Sequence, residues 1–314
     1  MKIVILNECF FAKEHLDRLK KLGKVTEYKD TDTEQKAIER LQGVDIAIAD
    51  QYFNILTKNV LESTNNLKLI AINSTGFDMV DIETANAKGI KISNASDFST
   101  EAVAEHAIAL MFAVSKRIPY SDKKVREKPF EIDPANPVHT EFIGFDVRGK
   151  TLGVIGLGNI GRRVAELGQA IGMKVIGYNR TPREVKGVTN VDLETLLKES
   201  DVVSINLALN ADTKHIISEK ELSLMKPTAI LINTARAAHV DGTALYEAVR
   251  DEKIAGAGLD IFENTEDARI LELDNVVFTP HSAWFTSESI KKLADIIIKN
   301  VEAFVEGKPQ NIIK

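Results

Sequence analysis

Apolar residues run along this chain in short unbroken blocks, separated by stretches in which they recur every three or four positions. "KIVIL" (2–6), "VDIAIA" (44–49), "LKLIAIN" (67–73) and "IKISN" (90–94) are β-branched blocks of the length and composition of strands buried on both faces. Between them "AKEHLDRLKKLG" (12–23) and "DTEQKAIERLQG" (32–43) are charged, amphipathic and closed by a glycine where a helix stops. The rhythm restarts at "TLGVIGLG" (151–158) and continues through "KVIGYN", "VVSINL", "AILINT", "AGAGLDIF" and "NVVFTP". Strands alternating with helices predict parallel sheets with helices on both faces. Two segments break the rhythm. "STEAVAEHAIALMFAVSKRI" (99–118) is apolar nearly all round and predicts a helix buried between domains or subunits, whereas "SESIKKLADIIIKNVEAFVEG" (287–307) predicts an amphipathic one. Residues 119–150 are polar and proline-bearing, too long for a tight connection, and read as an ordered arm or partner-contacting loop.

At 314 residues the chain has room for two α/β domains, each with its own core. Composition changes little: 44% hydrophobic and 27% charged residues are ordinary for a globular protein. No apolar run is long enough to span a membrane, and the opening "MKIVILNECFF" reads as a core strand rather than a signal peptide. The single Cys9 excludes an internal disulfide and fits a reducing compartment, so a cytoplasmic location is expected. A formal net charge of −6 argues against non-specific nucleic-acid binding. His15, His106, His139, His215 and His239 are scattered at spacings unlike a metal site, and His106 reads as a packed or interface residue within its apolar helix.

Chemistry enters at "GLGNIG", where Gly156, Gly158 and Gly161 hold the G-x-G-x-x-G spacing. A lone glycine triplet says little, but here a strand block precedes it, a helical pattern follows, and "KVIGYN" completes a βαβ unit. In such a unit the first glycine permits the turn, the second admits a pyrophosphate, and the third lets helix pack on strand, with the helix N-terminus facing the anion. A dinucleotide is therefore the expected cofactor. The second strand ends in Asn179, Arg180 and Thr181, without the carboxylate that takes ribose hydroxyls in NAD sites. A cation beside a hydroxyl suits a 2′-phosphate, so NADP(H) is expected over NAD(H), which stays open if Arg180 only faces solvent.

Three later strand blocks end in reactive groups. Arg236 follows "LINTA", Asp260, Glu263 and Glu266 follow "AGAGL", and His281 follows "VVFTP". The carboxyl ends of strands are where open α/β sheets bind ligands. A guanidinium there can grip a carboxylate together with its neighbouring keto oxygen. An imidazole titrates near neutrality, as an acid–base group must.

"VIGLGNIGRRVA", "INTARAAHVDGTAL", "AGAGLDIFE" and "NVVFTPHSAW" resemble the successive signatures of the D-isomer-specific 2-hydroxyacid dehydrogenases, and "NSTGFDMVDIETANAKGIKISNASDFSTEAVAEHAIALM" is similar to the family's substrate-loop and hinge-helix segment. The "STGFD" and "PHSAW" stretches look most like the glycerate dehydrogenase and hydroxypyruvate reductase branch. The resemblance implies two doubly wound parallel-sheet domains: a Rossmann-type cofactor domain over 99–282, and a flavodoxin-like substrate domain built from 1–98 and 283–314, with a cleft between them. It implies hydride transfer to a small 2-keto acid, hydroxypyruvate or glyoxylate first, with His281 as acid and base. Arg236 would hold the substrate carboxylate and carbonyl, Glu266 would pair with the imidazole, and Ser74, Thr75, Gly76 and Trp284 would bind substrate. Cofactor contacts would come from Gly156, Gly158, Asn159, Ile160, Gly161, Asn179, Arg180, Thr181, Thr213, Thr234, Ala235, Arg236, Asp260 and His281. A homodimer through the cofactor domain is implied as well. Residues 7–11 and 52–54, with Trp284, would select the substrate's side chain.

Two departures stand out. The family's catalytic Glu falls on Thr265 here, with Glu266 one place later and Glu263 the runner-up. Ala237 replaces the glycine usual after the arginine, which is costly if that residue needs φ > 0. Two rival readings share the scaffold: a dinucleotide-sensing corepressor-like interaction protein, and a formate or phosphite dehydrogenase.

Overall fold

The N-terminal apolar blocks are strands of one parallel sheet: β1 (Lys2–Ile5), β2 (Lys24–Glu27), β3 (Ile46–Ala49), β4 (Leu69–Ile72) and β5 (Lys91–Ser93), in the order β2-β1-β3-β4-β5. β3 and β4 are buried at every position, which is why they read as unbroken apolar runs. β2, with the sequence KVTE, is an exposed edge strand and gives no such signal. The computed structural model describes residues 1–50, 55–77, 79–128, 139–260 and 267–313. The chain divides into two compact units, Met1–Ser99 with Phe285–Lys314, and Thr100–Trp284.

The first unit is discontinuous in sequence. Its sheet is completed by the helix Ser287–Val305, which packs on β4 and on the helix Lys13–Leu22. Ile297, Ile298 and Val301 form that helix's fully buried stripe. Its polar side is tied down by Arg18, which donates to both carboxylate oxygens of Glu302 at 2.8 and 2.6 Å. Asn300 Nδ2 donates to the carbonyl of Asn94 at 2.9 Å.

The second unit holds a seven-stranded parallel sheet: β6 (Thr151–Ile155), β7 (Lys174–Tyr178), β8 (Val188–Asn190), β9 (Val202–Ile205), β10 (Ile230–Asn233), β11 (Gly256–Leu259) and β12 (Val276–Phe278). Their order is β12-β11-β10-β9-β6-β7-β8, so the chain reverses its direction of growth between β6 and β9. That is the doubly wound arrangement in which ligands sit at the strands' carboxyl ends. Both faces carry a core. Along β10, Ile230 and Ile232 join the cluster that includes Leu110 and Val114, while Leu231 joins Leu196, Leu222 and Leu245 on the other side.

The apolar helix is Thr100–Ser115, ending earlier than its pattern predicts. Arg117, at φ +52°, turns the chain into a second helix, Ile118–Glu127, so the start of the expected arm is helical. Its charged pairs, such as Arg126 with Asp122, hide it from the hydrophobic pattern. Among the described residues no helix is long and apolar enough to cross a membrane.

Candidate active site

β6 runs directly into the glycine turn. Gly156 has φ +92°, its amide donates to Tyr178 O at 2.8 Å, and a Cβ there would lie 2.5 Å from Asn206 O. A Cβ on Gly161 would lie 1.8 Å from Gly156 O, so only glycine lets the helix Asn159–Ala170 close on the turn. Gly158 differs: a Cβ there would meet nothing within 4 Å. It caps that helix, whose first turn carries no acid. An unencumbered backbone at a helix N-terminus is what a pyrophosphate requires. Two buried polar atoms near this edge, Thr234 Oγ1 after β10 and Asn206 Oδ1 after β9, have no hydrogen-bond partner among the described residues. The residues present fit a dinucleotide.

At the end of β7, Asn179 Oδ1 accepts from Leu157 N at 2.7 Å and braces the glycine turn from behind. Arg180 donates from Nη1 to Asp212 Oδ2 at 2.7 Å, with both side chains well exposed, 81% and 71%. Asp212 is presented by a stiff turn: Asn210 Oδ1 accepts from the amides of Asp212 and Thr213, and Thr213 Oγ1 donates to Ala208 O at 2.8 Å. The sequence gives no hint of this partner, because 32 residues separate it from Arg180. Thr181 is exposed.

Arg236 leaves β10 in extended conformation, φ −144° and ψ 141°. Its carbonyl accepts from three donors, Asn233 Nδ2 at 2.8 Å, His239 Nδ1 at 3.0 Å and the His239 amide at 3.2 Å, and Asn233 Oδ1 also accepts from Ala235 N at 3.0 Å. The guanidinium Nη1 donates to Ala235 O at 3.0 Å. His239 is fully buried, and burial, then the nearby Arg236 charge, pushes its imidazole below the usual histidine range. Ala237 opens a short 3-10 turn, Ala237–His239, and is not in the left-handed region. The expected cost of losing glycine there does not arise.

His281 is in that region, at φ +56°. Asp260, 1% exposed at the end of β11, builds the turn that holds it. The Asp260 carbonyl accepts from His281 N at 2.6 Å. Its carboxylate accepts from Ser282 N at 2.9 Å, from Ala283 N at 3.2 and 3.1 Å, and from Thr279 Oγ1 at 2.5 Å. Thr279 Oγ1 in turn lies 2.9 Å from His106 Nε2. A histidine that reads as plain core is thus wired to the His281 turn. Trp284, the next aromatic along, is buried. Glu263 and Glu266 lie outside the described residues, as do residues 52–54.

In the first unit, the loop after β4 is stapled from both sides. Ser74 Oγ donates to Gly76 O at 2.6 Å, Thr75 Oγ1 to Ala95 O at 3.0 Å, and Asn94 Nδ2 to Thr75 O at 2.7 Å. Among the described residues none accepts from the backbone amides of Ser74, Thr75 or Gly76.

Comparison with known proteins gives a consistent picture. The family model described as "D-isomer specific 2-hydroxyacid dehydrogenase, NAD binding domain" matches residues 108–283. The chain is 40% identical over 299 residues to a glycerate dehydrogenase of Methylorubrum extorquens, covering 92% of this chain and 91% of that one. It is 41% identical over 283 residues to a glyoxylate reductase of Thermococcus litoralis, covering 88% and 85%. Among solved structures, an acyclic imino acid reductase in complex with NADPH and D-Arg superposes with a TM-score of 0.93 at 38% identity, over the whole of both chains.

Proposed function

The chain belongs to the D-isomer specific 2-hydroxyacid dehydrogenase family, and we propose that it transfers a hydride between a nicotinamide dinucleotide and a small 2-keto or D-2-hydroxy acid, with hydroxypyruvate and glyoxylate the first candidates. The observation that carries the residue assignment lies in the second unit. Arg236 and the His281 turn stand at the carboxyl ends of β10 and β12, on the edge that also carries the glycine turn.

When bound, the dinucleotide supplies the carbon that gives or takes the hydride. Gly156, Gly158, Asn159, Ile160 and Gly161 would hold its pyrophosphate, with Thr213, Thr234 and Ala235 along its length. Arg236 would draw the substrate carboxylate and keto oxygen into one planar grip, polarising the carbonyl. His281 would give a proton to the keto oxygen in reduction and take it from the hydroxyl in oxidation. The open amides of Ser74, Thr75 and Gly76 are donors suited to a carboxylate oxygen. Glu266 is assigned as the carboxylate partner of the imidazole on the sequence reading alone. Asp260 is given a holding role, since its carboxylate is taken up by the turn.

NADP(H) is our preferred cofactor, because Arg180 rather than a carboxylate follows β7. Pairing of two copies through the second unit is supported by Ile118, Val125 and Ile143, large apolar side chains left exposed on it. A second reading, reduction of the imine formed from a keto acid and an amine, draws on the likeness to the imino acid reductase.

The test is oxidation of NADPH and of NADH with glyoxylate and hydroxypyruvate, with and without ammonium, for the wild type and His281→Ala. Keto-acid turnover that collapses in the variant, faster with NADPH below saturation, is expected. Faster turnover with NADH would remove the cofactor preference. Turnover only with ammonium would select the imine. Nucleotide binding without any turnover would sink the enzyme reading.

A further inference from the structure

We infer that His106 and Thr279 are positioning residues that hold His281 in its working conformation through Asp260. The inference rests on His281 being the acid–base group. The direction of each bond follows from elementary chemistry. Among the described residues the Asp260 carboxylate accepts from the amides of Ser282 and Ala283 and from the Thr279 hydroxyl. A hydroxyl has one proton, and Thr279 spends it on Asp260 Oδ1 at 2.5 Å. Its second contact, 2.9 Å from His106 Nε2, must therefore be one it accepts. His106 Nε2 thus carries a proton. The chain runs one way, from imidazole to hydroxyl to carboxylate, and His106 Nε2 itself stands 3.6 Å from Asp260 Oδ1.

The turn needs this anchoring. A residue with a Cβ does not stay at φ +56° unless its surroundings hold it there. Asp260 does so with its carbonyl on the His281 amide and its carboxylate on the two amides that follow. Without the Thr279 proton, one carboxylate oxygen loses its shortest contact, and only the amides of Ser282 and Ala283 are left to orient the group. Without His106, the Thr279 hydroxyl loses the donor that keeps its own proton on Asp260. His106 is a firm origin for the chain. It sits on the helix Thr100–Ser115, whose neighbouring Val103, Ala107 and Leu110 are buried.

Misplacing an acid–base group by an ångström can cost up to about 100-fold in rate while leaving remote binding intact. The experiment is steady-state turnover of glyoxylate by the full chain, with nucleotide affinity measured separately by fluorescence titration. The variants are Thr279→Val, Thr279→Ser, His106→Phe and His106→Gln, with His281→Ala as reference. Thr279→Val is expected to lower kcat by about tenfold or more with the nucleotide Kd unchanged, and Thr279→Ser to restore it to within about threefold. His106→Phe is expected to lower kcat less, and His106→Gln, which keeps an N–H donor, to recover most of it. Equal impairment of the Val and Ser variants, or full activity in Thr279→Val, overturns the inference. If Thr279→Val does not fold, equal kcat in the two His106 variants overturns it. Wild-type turnover in His281→Ala would instead show that the acid–base assignment itself fails.

Discussion

Arg236 and His281 sit on two turns at the same edge of one sheet, and the two turns are held by different means. The Arg236 carbonyl is gripped by the side chains of two residues, Asn233 and His239, and by the His239 amide, in an extended backbone that any residue adopts. The His281 turn is left-handed: backbone carbonyls of Asp260 and Thr279 hold its amide, and the two amides that follow share the single buried Asp260 carboxylate. A clamp shared between two neutral groups survives the loss of one. Amides that share one charged acceptor do not, since its loss leaves the buried Ala283 N–H without a partner.

Removing that anchor should separate the turns most sharply. Asp260→Ala strands two amides and a hydroxyl at a site that is 1% exposed. A loss of about 3 kcal/mol in urea unfolding is expected, with keto-acid turnover down by roughly 100-fold or more. A variant that unfolds with the wild-type midpoint would show that the contrast is not real. At the Arg236 turn, Asn233→Ala should cost about 2 kcal/mol because it removes bonds from both ends of the amide, and His239→Leu about 1 kcal/mol or less because Asn233 still holds the carbonyl.

His239 also adds a pH signature. Its folded pKa lies below 6.5, so under acid the unfolded chain takes up a proton that the folded one refuses. Its contribution is complete above pH 6.5 and is lost as pH falls toward the lowered folded value. Thermal melts of His239→Leu should therefore fall less steeply than wild type as pH drops below 6.5. Identical slopes would remove His239 from the acid response. The smallest effect on stability lies at the exposed Arg180–Asp212 pair, where neither Arg180→Ala nor Asp212→Asn should move the melting temperature measurably. Their effect is on choice: Arg180→Ala should lower the NADPH-to-NADH ratio of kcat/KM, and Asp212→Asn, which frees the guanidinium, should raise it. Unchanged ratios in both would detach the pair from cofactor recognition.

Much of this architecture is legible in the sequence because burial on both faces leaves unbroken runs such as "LKLIAIN", and because the glycine turn around Gly156 is local. The edge strands β2 and β8 are not, since short exposed strands have no apolar signature. The helix Ile118–Glu127 buries no residue fully, so its period does not show in the sequence. Positions at strand ends single out Arg236 and His281. What braces them is invisible, because hydrogen bonds such as His106 to Thr279 join residues 173 positions apart and follow no periodicity. Ala237 teaches the converse: the usual glycine suggests a left-handed residue, yet the turn takes an ordinary backbone that alanine accepts.

The discontinuity of the first unit orders events during synthesis. Residues 1–99 emerge first but lack the Ser287–Val305 helix that covers β4. The ribosome must then read through the whole of Thr100–Trp284, on the order of ten seconds or more at ordinary elongation rates. Throughout that interval the surface awaiting Ile297, Ile298 and Val301 stays open to chaperones or to other nascent chains. The second unit, continuous in sequence, has no such wait. The segment made before the second unit is therefore finished after it.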